Sequence, residues 1–106
     1  MRYFLWDPGK NEKLKAERNI SFDEIIFCIE HGLLLDILDH PNKKKYSNQR
    51  IFVVQAGDYI YLVPFVEEGN WTFLKTIIPS RKATKTYLQK GVDDNVKGDK
   101  GREEFA

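Results

Sequence analysis

Cysteine is nearly absent from this chain, which has one, Cys28, among 106 residues. A single cysteine excludes an internal disulfide framework and any cysteine-rich zinc site. Cys28 falls beside the apolar stripe of a predicted helix, so we interpret it as a small buried side chain rather than a nucleophile. The two histidines, His31 and His40, have no third ligand at metal spacing. We therefore expect no metal site and no cofactor.

Long apolar runs are also absent. No stretch approaches the roughly 18 residues of a membrane helix, and the first ten residues reach Pro8 and a charged segment without an apolar secretory core. No glycine-rich phosphate loop follows a strand, because Gly57 and Gly69 fall at hairpin positions. These absences lead us to expect a cytoplasmic protein that makes no contact with a membrane.

The length and composition indicate one folded domain. The 106 residues are 42% hydrophobic and 31% charged, which is ordinary for a globular protein. We assign residues 1–90 to this domain. Residues 91–106 contain three glycines and show no helical periodicity, so we expect a flexible charged tail there.

Hydrophobic patterning predicts an α+β domain in which N-terminal helices and a C-terminal helix pack against an antiparallel sheet. The expected order is β-α-α-β-β-β-β-α, with strands over 2–6, 33–38, 50–56, 59–66 and 71–78 and helices over 8–17, 21–31 and 80–90. Six side chains are expected to supply much of the core: Phe52, Val54, Ile60, Leu62, Phe73 and Ile77.

Local signals set several of these boundaries. Asp7 can cap the first helix, and Ser21 and Glu24 have the spacing of a capping box at the start of the second. Gly32 is expected to end the second helix in a left-handed cap. Pro64 cannot donate to a sheet ladder, so we expect it at a bulge or on an edge strand.

Positive charge is concentrated in the second half of the chain. Residues 1–42 carry five Lys/Arg against eight Asp/Glu, residues 43–90 carry nine against three, and residues 91–106 carry three against five. A basic half beside an acidic half favours a surface that faces a polyanion, although a solvated charged face gives the same counts.

The cations of that half are the candidates for function. Lys75 shares a predicted strand face with Phe73 and Ile77, which is typical of a snorkelling edge residue or of a recessed basic cleft. The last helix opens with three further cations: Arg81, Lys82 and Lys85. Cations at a helix N-terminus cost about 0.3–1 kcal/mol each, which a bound anion such as phosphate would offset. An ordinary surface helix with lysines is the alternative.

Three short motifs carry a family resemblance. They are FLWDPGKN at the start, NISFDE at the second helix and IIPSRKATKTYL at the end, over about residues 3–90. In this order they resemble the BrnT family of toxins, within the RelE-like superfamily of small bacterial toxin–antitoxin ribonucleases. Two positions depart from the family. Glu17-Arg18-Asn19 replaces a frequent Lys-His-Gly, and Thr76 replaces a frequent arginine. If that histidine does acid–base work, its role is vacant here or passes to Arg18 or His40.

The resemblance implies a RelE-like fold and metal-independent cleavage of mRNA, which inhibits translation. The 2′-hydroxyl attacks the adjacent phosphate and leaves a 2′,3′-cyclic phosphate and a 5′-hydroxyl. On this hypothesis Arg50 and Arg81 stabilise the phosphate, and Lys75 or Lys82 assists or acts as acid or base. Tyr61 would stack a base. Four lysines complete the expected RNA-binding set: Lys43, Lys44, Lys45 and Lys85.

The resemblance also implies two partners. One is a cognate antitoxin with a DNA-binding domain, and we expect contact with DNA only through this antitoxin. The other is an RNA substrate, free or on the ribosome. An alternative from a different class is a non-catalytic RelE-like binding module that uses its basic face for a partner protein or RNA, which the missing histidine favours. A third interpretation is a housekeeping domain whose charges form a solvated surface.

Overall fold

The helices and strands follow from a computed structural model that describes residues 3–46 and 48–88. The tail expected over 91–106 lies outside these residues. The elements are β1 (Tyr3–Leu5), α1 (Pro8–Arg18), α2 (Phe22–Glu30), β2 (Leu34–Asp39), β3 (Gln49–Ala56), β4 (Tyr59–Glu68), β5 (Trp71–Leu74), β6 (Ile78–Pro79) and α3 (Arg81–Leu88). No helix in this part of the chain is long and apolar enough to cross a membrane.

The sheet is mixed, which corrects the expectation of an antiparallel sheet. Its strand order is β1-β5-β4-β3-β2, and β6 pairs with β4 beyond this path. Strands β2 to β5 are antiparallel neighbours, whereas β1 runs parallel to β5. A tight hairpin can join only antiparallel strands. The direction of β1 is free of that constraint because two helices and three strands separate it from β5 along the chain.

The strand predicted over 71–78 is interrupted. It forms β5 and β6, which both pair with β4, at Phe65–Glu68 and at Tyr61–Leu62 respectively. Pro64 lies between these two stretches, and its carbonyl accepts a hydrogen bond from the Lys75 amide at 2.8 Å. Of the two expected positions for Pro64, a bulge or an edge strand, the edge strand was wrong because β4 has strands on both sides, and Pro64 lies instead at an interruption of the ladder. Proline has no backbone N–H to donate. Pro64 lies where the neighbour of β4 changes from β5 to β6, so its missing donor coincides with a break in the ladder.

Helices cover both faces of the sheet. On the α1–α2 face, Leu14, Phe22 and Ile25 pack with buried side chains of β3 and β4. On the α3 face, Ala83 is buried with other side chains of β3 and β4. Five of the six predicted core residues are buried: Phe52, Val54, Ile60, Leu62 and Ile77. Full burial of one such side chain contributes about 1.5–3 kcal/mol.

Phe73 and Ile77 correct the expected strand face. Phe73 is half-buried, not part of the buried core. Ile77 is buried in the cluster on the α1–α2 face together with Leu74, so it does not share a face with Phe73. The reason is the interruption after β5: the chain leaves the sheet between residues 75 and 77, and the two-residue alternation is lost there.

The predicted helix signals are confirmed. The Asp7 carboxylate accepts from the Gly9 amide at 3.1 Å, and the Ser21 hydroxyl accepts from the Glu24 amide at 3.1 Å. Gly32 ends α2 with φ +83°, a left-handed conformation that suits glycine. Buried Asn11 joins the two helices, because its Oδ1 accepts from the first amide of α2, that of Phe22, at 2.8 Å.

Candidate functional site

The last helix presents one group of the predicted site residues. Arg81, Lys82 and Lys85, which we name the α3 cation group, are all exposed on the first turns of α3. Arg81 and Lys85 are four residues apart, so they lie on the same side of the helix. Neither forms an ion pair with any residue in 3–46 or 48–88. No acidic residue stands in the first helical turn. Arg81 and Lys85 therefore place two exposed positive charges on one side of the helix.

Hydrogen bonds fix the start of this helix to the sheet. The Ser80 amide donates to the Ile60 carbonyl at 3.0 Å, and the Ser80 hydroxyl caps the helix by accepting from the Ala83 amide at 3.0 Å. Buried Thr84 accepts from the Ile60 amide at 2.9 Å and donates to the Ser80 carbonyl at 2.7 Å. The α3 cation group therefore stands on a rigid support at one end of β4.

Lys75 lies on the same side of the sheet as α3. Phe73 pairs with Val66 of β4, which alternates with Phe65 of the opposite face. The exposed Lys75 ammonium lies 5.5 Å from the centroid of the Phe73 ring. Of the two alternatives that the sequence left open for Lys75, this exposed position over an aromatic ring fits the snorkelling residue.

Arg50 and Tyr61 lie on the opposite, α1–α2 face. Arg50 Nη2 is 3.0 Å from Glu67 Oε1, and its guanidinium lies 5.5 Å from the centroid of the buried Phe65 ring. The half-buried Tyr61 ring packs edge-to-face with Tyr59 at 5.7 Å. Burial raises the pKa of Tyr61, and the nearby Glu24 carboxylate raises it further. The structure does not bring Arg50 or Tyr61 together with the α3 cation group.

The three loop lysines occupy a third location, between β2 and β3. Lys43 is 3.4 Å from Asp39, and the Lys45 ammonium lies 5.4 Å from the Tyr46 ring centroid. Lys44 is exposed. Asn42 shapes the loop, because its side-chain oxygen accepts from the Lys45 amide at 3.2 Å.

Arg18 and His40, the two residues to which the role of the missing histidine could pass, have structural partners elsewhere, and so does His31. Arg18 donates from Nη1 to the Ile77 carbonyl at 2.6 Å and so holds the connection between β5 and β6. His40 Nδ1 accepts from the Asn42 amide at 3.1 Å, and His31 Nδ1 lies 2.7 Å from the Phe27 carbonyl oxygen. Neither histidine is on α3.

Cys28 is buried, as expected. It is 5% exposed within the cluster on the α1–α2 face. Burial raises the pKa of its thiol, and the Glu24 carboxylate raises it further. Both effects disfavour the thiolate that a nucleophile or metal ligand needs. Across residues 3–46 and 48–88, no group of three or more His, Cys, Asp or Glu side chains is placed to hold a metal ion.

Sequence reasoning missed an exposed aromatic pair at the β1 edge. Tyr3 and Trp71 are each 49% exposed, and their ring centroids are 5.3 Å apart. The pair exists because β1 lies beside β5, with Tyr3 opposite Trp71. Aromatic residues at both positions were visible in the sequence, but no local signal indicated that these two strands pair.

Comparisons of the chain with models of protein families, with curated proteins and with solved structures found no match in any of the three. No family is established for this chain.

Proposed function

We propose that the chain is the ribonuclease toxin of a toxin–antitoxin pair, related in fold and activity to the RelE-like superfamily and to its BrnT family. The α3 cation group binds the scissile phosphate. The observation that carries the proposal is the pair Arg81 and Lys85, exposed, on one side of a rigidly capped helix and without an ion pair in the described part of the chain.

The chemistry of RNA cleavage needs this kind of charge. Attack of the 2′-hydroxyl on the adjacent phosphate creates a pentavalent centre with more negative charge than the ground state. Cations that are already in place stabilise this charge without reorganisation. Arg81 suits the role because its planar guanidinium can donate two parallel hydrogen bonds to a phosphate. Lys85 and Lys82 extend the positive surface along the helix.

Proton transfer requires a base for the 2′-hydroxyl and an acid for the leaving oxygen. Lys82 adjoins Arg81 in the chain, and Lys75 is exposed on the same side of the sheet. Lys75 or Lys82 therefore remains the side chain proposed to assist or to act as acid or base. In this scheme Arg50 does not reach the phosphate, because it is engaged with Glu67 on the other face.

The proposed antitoxin silences the enzyme by covering the α3 cation group with an acidic or amphipathic segment. An acidic segment complements the exposed cations, and RNA competes for the same charge. DNA reaches the complex only through the antitoxin.

Inducible expression in bacteria tests the proposal. The wild-type chain is expected to arrest growth and to create new 5′ ends on abundant transcripts, which primer extension detects. Arg81→Ala is expected to abolish both effects at equal soluble expression. Lys13→Ala is the matched control, because Lys13 is an exposed cation of α1, on the face of the sheet opposite α3. Arrest by Arg81→Ala with the same new 5′ ends would move the site away from α3.

A non-catalytic binding module is the second candidate. The observation that favours it is the placement of both histidines, which contact backbone atoms away from α3. The α3 cation group would then bind a partner protein or RNA without cleaving it. Tolerated expression of the wild-type chain, with RNA or partner binding that Arg81→Ala weakens, would distinguish this candidate from the toxin.

A further inference from the structure

Four side chains, three of them aromatic, form a partly exposed surface on β1 and β5, which we name the aromatic surface: Tyr3, Leu5, Trp71 and Phe73. The register places Tyr3 opposite Trp71 and Leu5 opposite Phe73. Phe73 is opposite Val66 in β4, which puts this surface on the α3 face of the sheet. Tyr3 and Trp71 are each 49% exposed and Leu5 is 43% exposed.

The helix on that face leaves this surface open. Ala83, Tyr87 and Leu88 of α3 pack with side chains of β2, β3 and β4. The Tyr87 hydroxyl donates to Asp36 of β2 at 3.1 Å. The helix therefore runs from β4 towards β2, away from β1.

Positive charge continues the aromatic surface towards α3. Lys75 follows β5 directly, with its ammonium 5.5 Å from the Phe73 ring centroid. At about 3.3 Å per strand residue, Trp71 and Lys75 lie roughly 13 Å apart along the chain. Strand β6 comes next and leads directly to Arg81. Aromatic rings, a lysine and the α3 cation group thus follow one another along the chain, and the rings and α3 lie on the same side of the sheet.

This arrangement is typical of a surface that binds single-stranded nucleic acid, where bases stack on exposed rings and cations contact the phosphates. The tilted arrangement of Tyr3 and Trp71, with an interplanar angle of 46°, leaves part of each ring available to a base. Exposed Glu68 is opposite Trp71 on the same face. Its carboxylate repels phosphate, so the phosphates run on the Lys75 side of the rings.

The area argues against a second copy of this chain as the occupant. A stable protein interface buries about 800 Å² on each partner. An aromatic side chain offers about 150–250 Å² when fully buried, so the exposed halves of two rings supply on the order of 200 Å².

We infer that Tyr3 and Trp71 stack bases of a single-stranded RNA whose phosphates pass Lys75 on the way to the α3 cation group. The inference rests on the proposed function in taking RNA as the ligand. It adds a binding surface that lies outside the proposed catalytic group.

Binding of a ten-nucleotide, mixed-sequence 2′-O-methyl oligonucleotide tests the inference, because this probe retains bases and phosphates but cannot undergo 2′-hydroxyl attack. Trp71→Ala is expected to weaken binding about tenfold or more, as loss of one base stack does, and Trp71→Phe is expected to weaken it less. Phe27→Ala is the matched control, since Phe27 is 58% exposed on α2 at the opposite face. Equal affinity of wild type and Trp71→Ala would overturn the inference.

Fluorescence provides a second readout. The chain has two tryptophans, and Trp6 is stacked on Phe22 at 5.9 Å. In Trp6→Phe the oligonucleotide is expected to quench the remaining emission, and in Trp71→Phe it is expected to leave the emission unchanged. Quenching only in Trp71→Phe would contradict the inference. A concentration-dependent dimer that Trp71→Ala abolishes would assign the surface to a second copy.

The same experiments separate this inference from the proposed function. Oligonucleotide binding through Trp71 by a wild-type chain that cleaves no RNA would keep the surface and reject the toxin. If the wild-type chain cleaves RNA and Trp71→Ala binds the oligonucleotide as tightly as the wild type does, the toxin proposal stands and the proposed binding surface is rejected.

Discussion

Arg50 is a residue for which the structural and the catalytic interpretations predict different effects of substitution. The sequence made it a candidate for phosphate binding, yet its guanidinium lies beside Glu67 and over Phe65 on the α1–α2 face. The Arg50 and Glu67 side chains are 44% and 42% exposed, so solvent screens their attraction. An exposed ion pair of this kind contributes about 0–1 kcal/mol.

Arg50→Ala is therefore expected to lower the free energy of unfolding by about 1 kcal/mol or less and to leave RNA cleavage unchanged. Urea denaturation and cleavage of a labelled RNA measure the two effects. A double-mutant cycle with Glu67→Gln, at low and high salt, isolates the pair and should give a smaller coupling at high salt. Loss of cleavage in a folded Arg50→Ala protein would return Arg50 to the phosphate site.

Local chemistry made several individual residues predictable. Asp7 and Ser21 cap helix N-termini by accepting hydrogen bonds through their side-chain oxygens. Gly32 ends a helix at a positive φ, which its lack of a side chain allows. Pro64 was harder to place, because its missing N–H excludes one ladder hydrogen bond but does not indicate which neighbouring strand lacks that bond. The position became clear only with β5 and β6 in place beside β4.

Helix α3 is held across the sheet by a contact at its far end. The Tyr87 hydroxyl donates to Asp36 Oδ2 at 3.1 Å. Burial, followed by the hydrogen bond and the charge of Asp36, raises the pKa of Tyr87 to about 12, well above the usual value for a tyrosine. The folded protein thus holds the phenol proton more tightly than the unfolded chain does, and this contribution to stability is complete below about pH 10.

Stability is expected to fall as the pH rises from about 10 to about 12, because the Tyr87 contribution disappears over that interval. Tyr87→Phe should lower the free energy of unfolding at pH 7 by about 0.5–1.5 kcal/mol, the value of one hydrogen bond. It should also reduce the dependence on pH above 10. Denaturation curves of both proteins at several pH values measure the difference, and a constant gap up to pH 12 would refute the contact.

The elements themselves were more predictable than their pairing. Capping residues, apolar periodicity and turn glycines placed each helix and most strands within a few residues. Strand β1 is short, and its three residues carry no hairpin signal that names a neighbour. The interruption between β5 and β6 carries a contact from elsewhere in the chain that no local signal indicates, because Arg18 of α1 donates to the Ile77 carbonyl.

At the scale of the molecule, the sheet decides which cations act together. From the sequence alone, the nine Lys/Arg over residues 43–90 were interpreted as one basic half. The fold distributes the eight of them that lie within residues 43–46 and 48–88 over the loop before β3, the α1–α2 face and the α3 face. Separation by face cannot be derived from composition, because it depends on which helix covers which side of the sheet.

Salt dependence tests the number of cations that share one RNA. For a single strand, the logarithm of the binding constant falls with the logarithm of salt concentration by about 0.7 per neutralised phosphate. Contacts from Lys75 and the α3 cation group predict a slope between about −2 and −3. Arg81→Ala should reduce the magnitude by about 0.7, and Lys13→Ala, which removes an exposed cation of α1, should not change it. An equal reduction by both variants would indicate diffuse attraction to the whole basic half.

Cleavage of a labelled RNA by the purified chain in the presence of EDTA tests the central claim most directly. The account predicts products that end in a 2′,3′-cyclic phosphate and begin with a 5′-hydroxyl, no product when the nucleotide before the cleaved bond carries a 2′-deoxyribose, and strongly reduced product with Arg81→Ala. Intact RNA after incubation with a folded wild-type chain, or cleavage that Arg81→Ala leaves unchanged, would contradict it.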